Sequence, residues 1–263
     1  MKKEKIVLGM SGGVDSSVAA ILLQKKGFEV YGVFMKNWDD KNAICNAEDD
    51  YADAVSVCNQ LNIPLKKINY TKEYKDRVFS QFLDDHKNGF TPNPDVLCNK
   101  EIKFDVFQKY AKQIGATKIA SGHYAKIVKE NDNFFISKAS DRTKDQSYFL
   151  YQLKSPLLHN IEFPLGSLLK KDIRKIAEEN NLVNASKKDS TGICFIGDRK
   201  YNDFVCQFLK TKKGKIITVD GEEIGHHDGH MYFTVGQRKG LGIGARNSAC
   251  LLYTSDAADD HHR

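Results

Sequence analysis

Ile6-Val7-Leu8-Gly9-Met10-Ser11-Gly12-Gly13-Val14-Asp15-Ser16-Ser17-Val18 reads as a strand, a tight turn and the start of a helix. Ile6, Val7 and Leu8 form an apolar run long enough for one buried strand, and Val18, Ile21 and Leu22 recur at helical spacing in the segment from Ser16 to Leu23. A glycine turn between strand and helix presents backbone N–H groups and a positive helix end to a phosphate. Gly12 and Gly13 accept dihedrals that other residues resist, so phosphate oxygens can approach the backbone. Ser11, Ser16 and Ser17 add hydroxyls. No Gly-Lys-Ser/Thr follows, which excludes a Walker A loop, and the dinucleotide spacing Gly-x-Gly-x-x-Gly is absent. Asp15 would repel phosphates as a bare carboxylate, so its place in the turn points to a bridging Mg²⁺. The same pattern is also that of an ordinary strand–turn–helix corner.

Ser-Gly-Gly-x-Asp-Ser at 11–16 resembles the signature of the ATP pyrophosphatases, or PP-loop enzymes. That resemblance implies cleavage of ATP to AMP and pyrophosphate, with AMP placed on an acceptor oxygen.

The remainder of the chain alternates strand and helix. Phe28–Phe34 reads as a second strand with Met35 at its carboxyl end, where an open parallel sheet holds ligands. The Met35 thioether suits an adenine face, although position alone fits a core residue equally well. A helix over 49–61, a strand over 64–69, a helix over 74–86 and a strand from Lys118 follow. The alternation predicts an α/β fold with a doubly wound, mostly parallel sheet. Ser121-Gly122-His123-Tyr124 ends the last strand, and Gly122 there suits close backbone approach to a nucleotide.

Between these elements lies Thr91-Pro92-Asn93-Pro94-Asp95-Val96-Leu97-Cys98-Asn99-Lys100. Two prolines predict a stiff loop without helix, and Asn99 is the expected cap of a helix starting near Lys100. Cys98 then lies at a helix N-terminus, where the dipole favours a thiolate. A rigid loop that presents Asp95 and Cys98 together reads as catalytic. Lys144-Asp145-Gln146, before an aromatic run, suits either phosphate and ribose or a plain helix start. Cys194 lies between Gly192 and Gly197 in an apolar setting that by itself favours a core residue. Lys215–Val219 and Met231–Val235 read as strands, with a hairpin turn at Asp220-Gly221. Gly236 to Gly244 is a basic, glycine-rich loop suited to phosphate backbones, and His226, His227 and His230 lack the partners that a metal site requires.

Composition sets outer limits. The 263 residues suffice for one large domain or two smaller ones, and 41% hydrophobic with 28% charged residues describes a globular protein. No apolar run long enough to span a membrane occurs, and no signal peptide precedes the first strand. Cys45, Cys58, Cys98, Cys194, Cys206 and Cys250 are scattered without a Cys-x-x-Cys pair, which points to reduced thiols and a cytoplasmic setting. The net charge of +6 gives weak support to a polyanionic partner.

Taken in order, Gly-Met-Ser-Gly-Gly-Val-Asp-Ser-Ser, Gly-Val-Phe-Met-Lys-Asn-Trp, Thr-Pro-Asn-Pro-Asp-x-x-Cys-Asn, Ser-Gly-His-Tyr, Lys-Asp-Gln-Ser-Tyr-Phe-Leu, Ser-Thr-Gly-Ile-Cys-Phe-Ile-Gly and Thr-Val-Gly-Gln-Arg-Lys-Gly-Leu-Gly resemble the tRNA-specific 2-thiouridylases from Ile6 to about Gly244. The resemblance implies ATP-dependent thiolation of a tRNA wobble uridine. Gly9, Met10, Ser11, Gly12, Gly13, Val14, Asp15, Ser16, Met35 and Gly122 would hold ATP. Cys194 would carry a persulfide supplied by a donor or relay protein, and Cys98 would be the second thiol, so that a Cys98–Cys194 disulfide marks turnover. Asn93, Pro94 and Asp95 would hold the target base, with Asp95 assisting proton transfer, and Lys144, Asp145 and Gln146 would contact tRNA. The uridine would leave its stack to react. The implied domains are a PP-loop catalytic domain over 1–160, a small linking domain over 161–210 and the start of a β-barrel over 211–248. Residues 249–263 do not resemble the family, which leaves grip on tRNA as an open expectation.

Two other functions fit part of this pattern. A PP-loop amidating ligase would leave the cysteines idle. A nucleotide- or RNA-binding chain without catalysis would bind ATP or tRNA and form no AMP.

Overall fold

The computed structural model describes residues 3–39, 47–189, 192–197, 199–243 and 251–253. Cys45, Ser190, Thr191, Gly244, Cys250 and residues 254–263 lie outside these. In chain order the elements are β1 (Lys5–Gly9), α1 (Val14–Lys25), β2 (Glu29–Lys36), α2 (Ala47–Gln60), β3 (Leu65–Asn69), α3 (Thr71–Tyr74), α4 (Ser80–Lys87), α5 (Pro94–Leu97), α6 (Phe107–Gln113), β4 (Lys118–Ala120), β5 (Ala125–Glu130), β6 (Asn133–Lys138), α7 (Ser155–Leu158), β7 (Ile161–Glu162), α8 (Lys170–Glu179), α9 (Tyr201–Val205), β8 (Gly214–Ile217) and β9 (Glu223–His227). A π-helical stretch, Cys98–Val106, joins α5 to α6. The chain divides into two compact units, Met1–Lys75 with Asp95–Phe195 and Asp76–Pro94 with Ile196–Arg263.

The first unit is built on a five-stranded sheet ordered β3-β2-β1-β4-β7, with every neighbouring pair parallel. Central parallel strands are covered on both faces, which is why β1 reads as an unbroken apolar run. Ile6, Val7 and Leu8 are all fully buried. The strand order reverses between β1 and β4, where Leu8 pairs with Ala120. The crevice at the carboxyl ends of those two strands is the place where such a sheet takes a ligand. It is bounded by the Gly9–Gly13 turn on one side and Ser121-Gly122 on the other.

Helix α1 is buried nearly all round, through Val14, Ser16, Ser17, Val18, Ala19, Ala20, Ile21 and Leu23. Its core is shared with Ile173 and Ala177 of α8 and with Leu182. A helix that must be covered on both sides brings the 170–185 segment against the nucleotide-type turn. The β5–β6 hairpin turns at Asn131 and Asp132, both with left-handed backbone, which these two residue types tolerate.

In the second unit, α4 and α9 and the residues that flank them carry an aromatic cluster. The Phe79 ring lies 4.9 Å from Phe208 and 6.1 Å from Phe204, and the His86 imidazole is hydrogen-bonded to the Tyr201 hydroxyl. β8 and β9 form an antiparallel hairpin. The strand expected over Met231–Val235 is absent, and His230–Tyr232 is a short 3₁₀ turn instead. Gly221, with φ +85°, reverses the chain at once, so the residues immediately after it return as the partner strand.

No helix among the described residues is long and apolar enough to cross a membrane.

Candidate active site

The turn after β1 is held by its own hydroxyls. The Ser11 N–H donates to Ser16 Oγ at 3.2 Å, and the Ser16 and Ser17 hydroxyls each donate to the Gly13 carbonyl at 3.0 Å. Gly12 has φ +78°, and a Cβ added there would stand 2.1 Å from the Asp50 carbonyl oxygen of α2. The buried Asn184 side chain closes the turn from a distant segment, donating to the Gly12 carbonyl at 2.9 Å and to Ser17 Oγ at 3.0 Å. The first turn of α1, whose N–H groups have no carbonyl partner one turn earlier, therefore opens onto a fixed loop. Met35 lays its terminal methyl 3.2 Å from the Cβ position of Gly9. The space beside Gly122 is taken by the start of α1, with Ser16 N 3.1 Å from its Cβ position. Close helix packing thus accounts for that glycine.

Asp15 does not stand bare. Its Oδ1 accepts from the Tyr124 hydroxyl and from Lys170 Nζ, each at 2.7 Å. Lys170 also pairs with Asp189 Oδ1 at 2.7 Å, and Asp189 takes Lys144 at 2.8 Å and Arg174 at 2.8 Å as well. Burial alone would raise the Asp189 carboxyl, but hydrogen bonds from Lys144 and Lys170 outweigh it and hold the group at about 2. Burial, then the bond to Asp15, pushes the Tyr124 phenol up. Among the described residues Asp15 Oδ2 has no hydrogen bond or ion pair, so one carboxylate oxygen is left open.

Lys144, Asp145 and Gln146 are all engaged within the fold. Lys144 holds Asp189, Asp145 accepts from the Ala139 N–H at 2.7 Å and the Ser147 hydroxyl at 2.8 Å, and Gln146 Oε1 accepts from the Tyr124 N–H at 3.0 Å. Beyond them Tyr148 and Tyr151 are exposed.

The cysteine segment departs from the expected stiff loop. Pro94 opens a helical turn, where its missing N–H costs nothing, and the helix continues through Asp95, Cys98 and Asn99. Asn99 is therefore not a cap: it is buried inside the π-helical stretch and its side chain donates to the Phe149 carbonyl at 3.0 Å. Cys98 lies a turn inside the helix and is buried, so the predicted thiolate is not favoured. Burial raises its thiol to about 12, against the opposing pull of Lys103, with Cys194 and Asp95 adding to the rise.

Cys194 belongs to the same unit and is exposed. The protein crowded round its thiol still raises it above its ordinary value, with Lys103 opposing and Asp95 reinforcing. Burial likewise raises the Asp95 carboxyl, again opposed by Lys103. The two thiols, the carboxyl and the ammonium thus share one electrostatic neighbourhood, and both cysteines are free thiols. Phe195, next to Cys194, is buried between Trp38 at 5.5 Å and Tyr74 at 6.1 Å between ring centroids. Asn93 is half-buried just before the turn.

Sequence reasoning singled out neither Asn184, Tyr124, Lys170 and Asp189 at the turn nor Lys103 and Tyr74 at the thiols. Tyr124 lay inside a quoted motif. The others had no local signal, because only the packing of α8, α3 and the π-helical stretch brings them in.

Comparison with known proteins completes the description. The family model described as tRNA methyl transferase HUP domain matches residues 4–198, and that described as tRNA methyl transferase PRC-barrel domain matches 202–259. The tRNA-specific 2-thiouridylase MnmA 1 of Geobacillus kaustophilus (strain HTA426) is 55% identical over 258 residues, which span 97% of this chain and 70% of that protein. The enzyme of the same name from Lysinibacillus sphaericus (strain C3-41) is 54% identical over 255 residues, 96% of this chain and 68% of that protein. That of Bacillus pumilus (strain SAFR-032) is 52% identical over 254 residues, with the same two shares. By the extent and identity of these matches, the chain belongs to the tRNA-specific 2-thiouridylase family.

Proposed function

We propose that this chain catalyses ATP-dependent 2-thiolation of the wobble uridine of tRNA, in the cytoplasm. The observation that carries this reading is the pairing of a PP-type turn with two free thiols, Cys98 and Cys194, that share an electrostatic environment with Asp95 in one compact unit.

In this reading the Gly9–Ser16 turn and the first turn of α1 bind the phosphates of ATP, and Met35 and Gly122 bound the nucleotide. Asp15 would hold Mg²⁺, which supplies charge neutralisation for the phosphates when bound. Asn93, Pro94 and Asp95 position the uridine, and Lys144, Asp145 and Gln146 present the tRNA-facing segment. Uridine O2 attacks the α-phosphorus, pyrophosphate leaves, and O2 becomes part of a good leaving group. A persulfide on Cys194, delivered by a donor or relay protein, attacks C2 with its terminal sulfur, and AMP departs with the former O2. The Cys98 thiolate then attacks Cys194 Sγ. The sulfur–sulfur bond to the base breaks, 2-thiouridine leaves, and a Cys98–Cys194 disulfide remains for an external thiol to reduce. In the same reading Asp95, whose carboxyl is raised by burial, assists the proton transfer.

The test is incubation with ATP, Mg²⁺, persulfide donor and unmodified tRNA, followed by nucleoside mass spectrometry. Replacement of one oxygen by sulfur in the wobble uridine, with stoichiometric AMP, supports the reading. ADP formation, or AMP without any dependence on tRNA, contradicts it.

A further inference from the structure

Tyr74 is fully buried, and its hydroxyl has no hydrogen-bond partner among the described residues. Buried polar groups are nearly always paired, because each orphan forfeits the hydrogen bonds it made with water. A phenylalanine would fill the same space without that penalty, so an unpartnered phenol here calls for a ligand that the free protein lacks. Its location shows which one. The Tyr74 ring packs edge-on against Phe195, the residue adjoining Cys194, and its phenol is pushed up by burial and then by the neighbouring Cys98, Cys194 and Asp95.

Lys103 gives a second, independent observation. It lies five residues after Cys98 in a π-helical stretch, and in that geometry residues five apart fall one turn along on the same side. Lys103 is half-buried and makes no hydrogen bond or ion pair among the described residues. Its charge reaches Asp95, Cys98, Cys194 and also His123, whose imidazole is held neutral by burial and by Lys103. A half-buried ammonium that closes no ion pair and a buried hydroxyl without an acceptor therefore converge on the same two thiols. Both are suited to an anion and neither serves a neutral thiol.

We propose that the Tyr74 hydroxyl and the Lys103 ammonium together form the binding site for the anionic terminal sulfur carried on Cys194, the hydroxyl as hydrogen-bond donor and the ammonium as counter-charge. This rests on the proposed thiolation. It adds that the pocket is preorganised for the persulfide anion before that sulfur arrives, so that no dipole has to reorganise when the charge appears. Neither group enters the ATP half-reaction.

The test separates the two half-reactions in Tyr74→Phe, Lys103→Met and Lys103→Arg. Tyr74→Phe removes only an orphan hydroxyl, so thermal stability is expected to be unchanged or slightly raised. AMP release is expected at the wild-type rate, while single-turnover sulfur transfer from pre-persulfidated protein falls tenfold or more. Lys103→Met should lose transfer to a similar extent, and Lys103→Arg should recover part of it. As a readout independent of turnover, alkylation of Cys194 by iodoacetamide, mapped by peptide mass spectrometry, should shift to higher pH in Lys103→Met and return in Lys103→Arg. Wild-type transfer in Tyr74→Phe, or an unmoved alkylation profile in Lys103→Met, overturns the assignment. If wild-type protein itself transfers no sulfur but releases AMP, the thiolation reading fails and takes the sulfur site with it. Transfer by wild type that is equally fast in the variants sinks this inference alone.

Discussion

Lys170 Nζ stands 2.7 Å from Asp15 Oδ1 and 2.7 Å from Asp189 Oδ1, so one ammonium links the turn after β1 to a carboxylate five residues before Cys194. The contact resolves the difficulty of a carboxylate in a phosphate-type turn, since the fold itself supplies a neutralising cation. Replacement of Lys170 by Met leaves Asp15 facing the phosphates. ATP affinity, measured by equilibrium dialysis without tRNA, is expected to fall about ten- to a hundredfold, as loss of a charge-assisted contact worth roughly 1.5–3 kcal/mol implies.

Gly12 is the tightest point of the turn. An alanine there carries a left-handed backbone at a cost of roughly 1–2 kcal/mol, and its methyl would overlap the Asp50 carbonyl. Gly12→Ala is expected to lower the urea midpoint and to weaken ATP binding. Gly13→Ala, where φ is −86° and the nearest atom is Ser11 Oγ at 3.4 Å, should change the midpoint much less.

The two thiols should differ in reactivity. Cys194 is exposed and Cys98 is buried, so iodoacetamide at neutral pH should label Cys194 first. The Cys98 thiol is raised from 9.0 to about 12 by burial. A group whose folded value exceeds its unfolded one stabilises the fold below the unfolded value, and that contribution is lost as pH climbs toward the folded value. Stability should therefore decline between pH 9 and about 12, less steeply in Cys98→Ala than in the wild type. Chemical denaturation at stepped alkaline pH checks this.

Most of the sheet and its ligand crevice were legible in the sequence, because β1 and β2 are apolar runs ended by glycine or polar residues, whereas the two-residue β7 carried no such signal. β1, β2, β3 and β4 all fall where the apolar pattern places them. The turn after β1 was legible for the same reason, since its chemistry is local. The Cys98 segment was misread because proline was taken only as a helix breaker, whereas Pro94 occupies a helix's first position, where it fits. That error placed Cys98 at a free helix end and predicted a thiolate, while packing buries it. The remainder of the site is non-local. Asn184 reaches Gly12 across 172 positions and Lys170 reaches Asp15 across 155, and periodicity carries no information about such contacts.

The central claim is that Cys194 carries sulfur, Cys98 releases it, and the turn after β1 activates the base independently of both. One experiment addresses all three parts: AMP release and 2-thiouridine formation measured in the same reaction for the wild type, Cys98→Ser and Cys194→Ser with tRNA, ATP, Mg²⁺ and a persulfide donor. The account predicts tRNA-dependent AMP in all three proteins, thiouridine turnover in the wild type alone, and a base–sulfur–Cys194 adduct accumulating in Cys98→Ser. Full thiouridine turnover by Cys194→Ser would contradict it.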